Sequence, residues 1–433
     1  MARRHPSLFH RAAISWRLLS LKQIIMSKFS SWVLLALACT SLPLRAEPGL
    51  VISLNNVADR IRSQNPDLAA ARVRIQEAVG RMNQAGRLAN PELETSIEQN
   101  SEFREGRLQF ELSQRFPITD RLRLEKEISL TELKTSEAEV REVERLLVRQ
   151  ARAAVVHWLA NRAHLDLLAE QTANAQQLAD ALTRSLAQGE ASALDVSQAK
   201  LATASLAIES RSLTAKRAEL AGELKLLLGI RATEPLNIIG KLPEPTPPKA
   251  LNPISQRPDL QAAKLAFSTA TQELSLEYAR RYDDVEGGIF AAAERSEDVP
   301  EGLTHEAMLG LRFKVALPFW NKNEGAIKAA EAKQQRRRME TAALTRSIHL
   351  EAQTAHAEML EWATLVDEIT GNLLPLANEQ SELTEAAYQN AEETIQGLLR
   401  SREKCLELAS ARLNALREFH LARIRHESAL AQP

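Results

Sequence analysis

A mainly α fold with a small β part, laid down as two structural repeats, is what this sequence predicts. Three observations carry that reading. The phrase SQNPDLAAAR, starting at Ser63, returns as SQRPDLQAAK from Ser255, with seven of ten positions identical. Glycine is scarce, 15 in 433 residues, and aromatics make up only 4%, a profile of long helices and not of an all-β protein. Twice, between helical patterns, the apolar period drops from about 3.6 to about 2.

Pro66 and Pro258 each open an apolar-periodic run, as a proline at the first helical position does. Behind Pro66, the residues Leu68, Ala71, Ile75, Ala78, Met82 and Ala85 form one stripe. The stretch 91–117 then alternates, with Leu93, Thr95, Ile97 and later Leu108, Phe110, Leu112 against polar neighbours. Two such runs around a polar, Gly-containing turn predict a hairpin. A second hairpin is predicted over 284–318, where Leu309, Leu311, Phe313 and Val315 alternate with Gly310, Arg312 and Lys314.

Each hairpin leads into a very long helical pattern, about 121–186 and about 325–388. In the second, Ile348, Ala352, Ala355, Met359, Trp362 and Val366 step by four and three, the seam of helices packed along their length. At roughly 1.5 Å per residue such a helix spans on the order of 100 Å, too long for one compact domain. A third helix follows each long one; in the first copy Ala199, Leu206, Leu213, Leu220 and Leu227 recur every seven residues. The copies therefore occupy 47–239 and 258–433, joined by a Pro-rich connector over 240–257. Pro375, one turn after Gly371, predicts a bend inside the second long helix.

The amino terminus, 1–46, reads as an upstream extension followed by a secretory signal. It has a basic start at Lys28, an apolar run from Trp32 to Leu44 and a small residue at Ala46. Cys39 is a candidate lipidation residue; the plainer reading is an apolar cysteine within the signal. Beyond Leu44 no run of 18 apolar residues exists, so a membrane crossing would have to be a β-barrel. Four short strands are too few to close one, and several chains would have to contribute. Phe110, Phe116, Phe313 and Trp320 lie in or beside the hairpins, where membrane-interface aromatics are expected. The competing reading is a soluble hairpin packed on its own helices.

Several function classes are excluded. A net charge of −1, with no basic cluster beyond Arg336–Arg338, argues against nucleic acid as a partner. No phosphate loop, GxSxG or HExxH motif is present, so neither enzyme nor cofactor is expected. His349 and His356 are seven apart on one helix face but lack a third ligand, so no metal is assigned. Cys405 reads as a small packing residue.

Five phrases in order, SLNNVADRIRSQNPDLAAA, ANPELE, AQGEASALDVSQAKL, LLLGI and QRPDL, resemble the TolC-type outer-membrane efflux family over about 53–430. ANPELE and ALPFWNKNEGAIKAAEAK are most similar to its heavy-metal, CzcC-like branch. The resemblance implies a homotrimer with a 12-stranded barrel in outer-membrane lipid and an α-helical tunnel across the periplasm. It further implies a periplasmic membrane-fusion adaptor and an inner-membrane pump of the resistance-nodulation-division (RND) type as partners, with the duct itself passive. The turns at 187–196 and 388–399 would form the periplasmic tip. There the resemblance assigns adaptor docking to Gly189, Glu190, Ser192 and Glu392, and gate closure to Asp195 with Tyr388 as its hydrogen-bonding partner. The chain departs from the pattern at Glu393, where a basic gate residue is expected, and at Gly397 and Arg400, where carboxylates are. Arg400 against Asp195 or Glu393 is then the expected charge-inverted lock. The alternative is a periplasmic coiled-coil adaptor or scaffold, disfavoured by the two hairpin-plus-helix units and the lack of a Gly/Val-rich β domain.

Overall fold

The computed structural model describes residues 51–247, 257–298, 300 and 302–431. The chain divides into Met1–Val51, of which Val51 alone is described, and Ile52–Pro433, which holds every element below. The signal region, Cys39 and connector residues 248–256 lie outside the described residues.

Repeat 1 begins with α1 (Val57–Gln64) and α2 (Pro66–Gln84). A hairpin of β1 (Glu92–Gln99) and β2 (Gly106–Phe116) follows, then α3 (Arg121–Gln188) and α4 (Ala193–Leu227). Repeat 2 runs α5 (Pro258–Ala279), β3 (Val285–Asp298), β4 (Gly302–Lys314), α6 (Glu324–Glu368), a π-helical turn Ile369–Leu373, α7 (Leu374–Gln389) and α8 (Ile395–Ala429). The 68 residues of α3 span about 100 Å.

The twice-written phrase starts α2 and α5, and its differing third residue has separate work in each copy. Asn65 caps α2, its side-chain oxygen accepting from Leu68 N–H at 2.8 Å. Its amide also donates to the Leu227 carbonyl at 2.7 Å, closing the end of α4. Arg257, buried at the equivalent place, pairs with Asp259 at 3.0 Å and with Glu351 of α6 at 2.7 Å.

The largest apolar cluster, including Val57, Ile61, Leu68, Val155, Trp158, Leu224 and Leu228, lies where α1 to α4 meet. The repeats are interleaved, because α3 also packs on repeat 2. Leu124 and Ile128 meet Leu276 of α5, and Val156 meets Leu421 and Ile424 of α8. Along α6 and α8 the contacts descend in antiparallel order: Ala352 with Ala429 and Leu430, Met359 with Ala422 and Phe419, Val366 with Ala415 and Leu416. That is the apolar seam the sequence shows.

Where a bend is expected at Pro375, the structure has a π-helical turn ending just before it. A proline ring collides with the carbonyl four residues earlier, here that of Gly371, and the wider π-turn makes room for it. The Leu374 N–H donates to the Ile369 carbonyl, five residues back. From α8, Arg412 donates to Thr370 in this turn at 2.8 Å and also pairs with Glu244.

The four strands form one antiparallel sheet ordered β1-β2-β3-β4, so the two hairpins pair through β2 and β3. Among the described residues each outer strand has one neighbour, leaving the far edges of β1 and β4 open.

Candidate functional site

Two regions carry the chemistry that the fold makes available. One is the tip, where α3 turns into α4 and α7 into α8. The other is the sheet.

At the first tip, α3 ends on Gly189 in the left-handed conformation, φ 81°. The Gly189 N–H donates to Leu186 O and the Glu190 N–H to Ser185 O, which is a Schellman closure. Ser192 then caps α4. Its Oγ accepts from Asp195 N–H at 3.1 Å, and the Asp195 carboxylate accepts from Ser192 N–H at 3.3 Å and Oγ–H at 2.7 Å. Asp195 is thus the acid of a reciprocal capping box.

The second tip repeats this geometry 202 residues on. Ala391, at φ 60°, stands where Gly189 stands, with Ala391 N–H to Tyr388 O and Glu392 N–H to Ala387 O. Thr394 caps α8, accepting from Gly397 N–H at 3.2 Å. Gly397 therefore occupies the place of Asp195 and has no carboxylate to return the bond. Glu393 does that instead, accepting from Thr394 N–H at 2.8 Å and Oγ1–H at 3.1 Å. Those bonds hold its carboxyl below the ordinary glutamate value. A Cβ on Gly397 would fall on the Glu393 side chain, so the two residues work as a pair.

Tyr388 is half-buried against Ala179, Leu182, Val196, Ala199, Ile395 and Leu398. Burial first, and then the negative charge of Asp195, raises its phenol pKa. The two residues are therefore neighbours, while the Asp195 hydrogen bonds go to Ser192. Arg400 is exposed and has no ion-pair partner among the described residues; within one chain it meets neither Asp195 nor Glu393. It lines a groove of about 940 Å³ between α3, α4 and α8, whose walls include Gln171, Gln198, Glu209, Glu403 and Glu407. Glu190, Ser192 and Glu392 are exposed at the two turns. The capping roles of Ser192 and Thr394 are legible as S-x-x-D and T-x-x-G patterns; the left-handed Ala391 leaves no sequence signal.

The sheet has two unlike faces. The strand register places Leu93, Ile97, Leu108, Phe110, Leu112, Phe116, Ile289, Leu309, Leu311 and Phe313 on one side. All of them are exposed, Leu309 by 84%, which would cost dearly in water. The opposite side carries cross-strand ion pairs: Arg115 with Glu92 at 3.2 Å and Glu286 at 3.5 Å, Lys314 with Glu286 at 3.8 Å, and Arg312 with a buried Glu111. Trp320, just past β4, is 97% exposed and meets Phe319 edge-to-face. An apolar outside, a polar inside and aromatics at one rim are the arrangement a lipid-spanning β-structure requires. No described helix is long and apolar enough to cross a membrane.

Residues 57–229 match the family model described as outer membrane efflux protein. No curated protein sequence matches. Among solved structures, CusC, a protein that folds and forms a transmembrane channel, superposes with a TM-score of 0.74 at 18% identity, over 88% of this chain and 92% of its own. The CmeC outer membrane channel of Campylobacter jejuni gives 0.71 at 15%, over 87% and 85%. The outer membrane protein VceC of Vibrio cholerae gives 0.71 at 18%, over 88% and 96%. The match over 57–229 and the superpositions agree on the fold: this chain is similar to the outer membrane efflux proteins and shares the fold of outer membrane channels.

Proposed function

We propose that this chain is one third of a trimeric exit duct of a tripartite efflux system of the RND type. The observation that carries it is the sheet, with one exposed apolar face and two open edges. Open edges do not occur in lipid, because each unpaired backbone group there costs several kcal/mol. Pairing β4 of one chain with β1 of the next removes both edges, and three chains supply twelve strands. Long helices leaving the same sheet would then line a common passage, with Asp195, Tyr388, Glu393, Gly397 and Arg400 where the helices converge. The groove beside Arg400 and the turns bearing Gly189, Glu190, Ser192 and Glu392 suit the helical hairpins of a periplasmic adaptor. Charge at Arg400, unpaired among the described residues, is available to a neighbouring subunit's tip. Conduction is passive, and the pump selects the cargo; heavy-metal cations are the cargo class suggested by the CzcC-like phrases ANPELE and ALPFWNKNEGAIKAAEAK.

A cysteine at Thr95 on β1, combined in turn with cysteines along Gly302–Lys314 of β4, tests the assembly. The two edges of one sheet lie about 14 Å apart, beyond disulfide reach, so only neighbouring chains can bridge. A covalent ladder that stops at three chains is expected. Absence of cross-links at every pair, or a ladder that stops at two, refutes the trimer.

A further inference from the structure

The α6–α8 seam contains one polar layer. His356 of α6 and His426 of α8 face each other there, with ring centroids 5.3 Å apart and planes inclined by 36°. His426 is 1% exposed. Both of its ring nitrogens, and Nδ1 of His356, are buried without a hydrogen-bond partner among the described residues. An unsatisfied buried nitrogen costs about 1–3 kcal/mol, and three in one layer call for an occupant that pairs with them.

The layer below supplies a third donor. Met359 is fully buried, three residues after His356 and so on the same helix face, in contact with Ala422, one turn before His426. Side chains on a helix lean towards its N-terminus. Met359 therefore leans up towards His356, and His426, on the antiparallel partner, leans down towards Met359. Two imidazole nitrogens at about 2.0–2.1 Å from one ion need ring centroids within about 6 Å, and these satisfy that.

The surrounding charges select the ion. Glu427, next to His426, is held by Arg152 at 2.8 Å and by Arg423 at 2.7 Å. Glu358, near the layer on α6, pairs with Arg425. Both of these carboxylates are thus already paired with arginines. Neutral imidazoles and a thioether suit a soft ion of single charge.

We propose that His356, His426 and Met359 form a buried site for a soft monovalent cation of the Cu(I) or Ag(I) class, which clips α6 to α8. This inference does not depend on the conduction path argued above.

The test titrates the purified full chain, with free thiols alkylated, anaerobically with Cu(I) against a chromogenic chelator, and with Zn(II) in parallel. One Cu(I) per chain is expected, with a rise in melting temperature and no comparable Zn(II) binding. Met359→Leu conserves volume and keeps the fold, and it should weaken Cu(I) binding by about tenfold or more while raising no Zn(II) affinity. His356→Ala and His426→Ala should abolish it. Absence of Cu(I) binding by the unaltered chain, or Cu(I) affinity unchanged in Met359→Leu, overturns the site and leaves a water-filled layer.

Discussion

Asp195 and Gly397 hold the same third position of the two tip helices, and the difference between them is met locally. Where Gly397 offers no carboxylate, Glu393 reaches forward to the Thr394 N–H. Glu393→Ala should therefore lower the melting temperature, and Glu393→Ala combined with Gly397→Asp should restore it, because an acid at that position rebuilds the capping box. Loss without restoration would show that Glu393 does something other than cap. Ser192→Ala removes the centre of the first box and should cost about 0.5–2 kcal/mol by thermal unfolding. Ala391, left-handed at φ 60°, gives the opposite sign: Ala391→Gly should stabilise by about 0.5–1 kcal/mol after the extra freedom of the unfolded glycine is counted. His157, His164, His420 and His426 all have depressed pKa values, with burial as the first cause. Each binds its proton more readily unfolded, so stability is full above the ordinary histidine value of about 6.5 and falls as pH drops below it. A melting curve between pH 8 and pH 5 reads this directly; a flat profile contradicts it. Of these residues, Asp195 and Glu393 were visible in the sequence as tip charges. The S-x-x-D spacing also marks Asp195 as a capping acid, whereas the role of Glu393, which precedes its cap residue, shows only once its hydrogen bonds to Thr394 are seen.

At the scale of elements, the hairpins and long helices follow from periodicity, because strands and helices place apolar residues at different intervals. The facing of His356 and His426 did not follow: they lie on different helices, and no period in either names the other. Pro375 announced an interruption, but the π-turn at Ile369–Leu373 depends on how the chain makes room for the ring. Pro375→Ala removes that need. The turn should then relax to α-helix, shifting α7 by one residue and rotating its face by about 100°. Single-channel recordings should show altered conductance or open time, because α7 leads into the tip; identical recordings would mean that the π-turn does not steer it. On the sheet, Leu309→Lys puts a charge on the exposed apolar face. If that face meets lipid, insertion should weaken by about 2–4 kcal/mol near the bilayer centre, read as a lower outer-membrane fraction.

On the whole molecule, the sequence shows why one unit is written twice: each copy supplies a hairpin and the helices that continue it. What it does not show is the interleaving, in which α3 of the first copy packs on α5 and α8 of the second. Those contacts rest on side chains more than a hundred residues apart, such as Val156 with Leu421. The interleaving makes two repeats a single unit, and in the proposed duct its open sheet edges are closed by further copies. The most direct measurement is conductance of the purified mature protein in a planar lipid bilayer. Discrete, stable current steps are predicted, from particles recovered in the outer-membrane fraction. A soluble periplasmic monomer that leaves the bilayer silent would contradict the account.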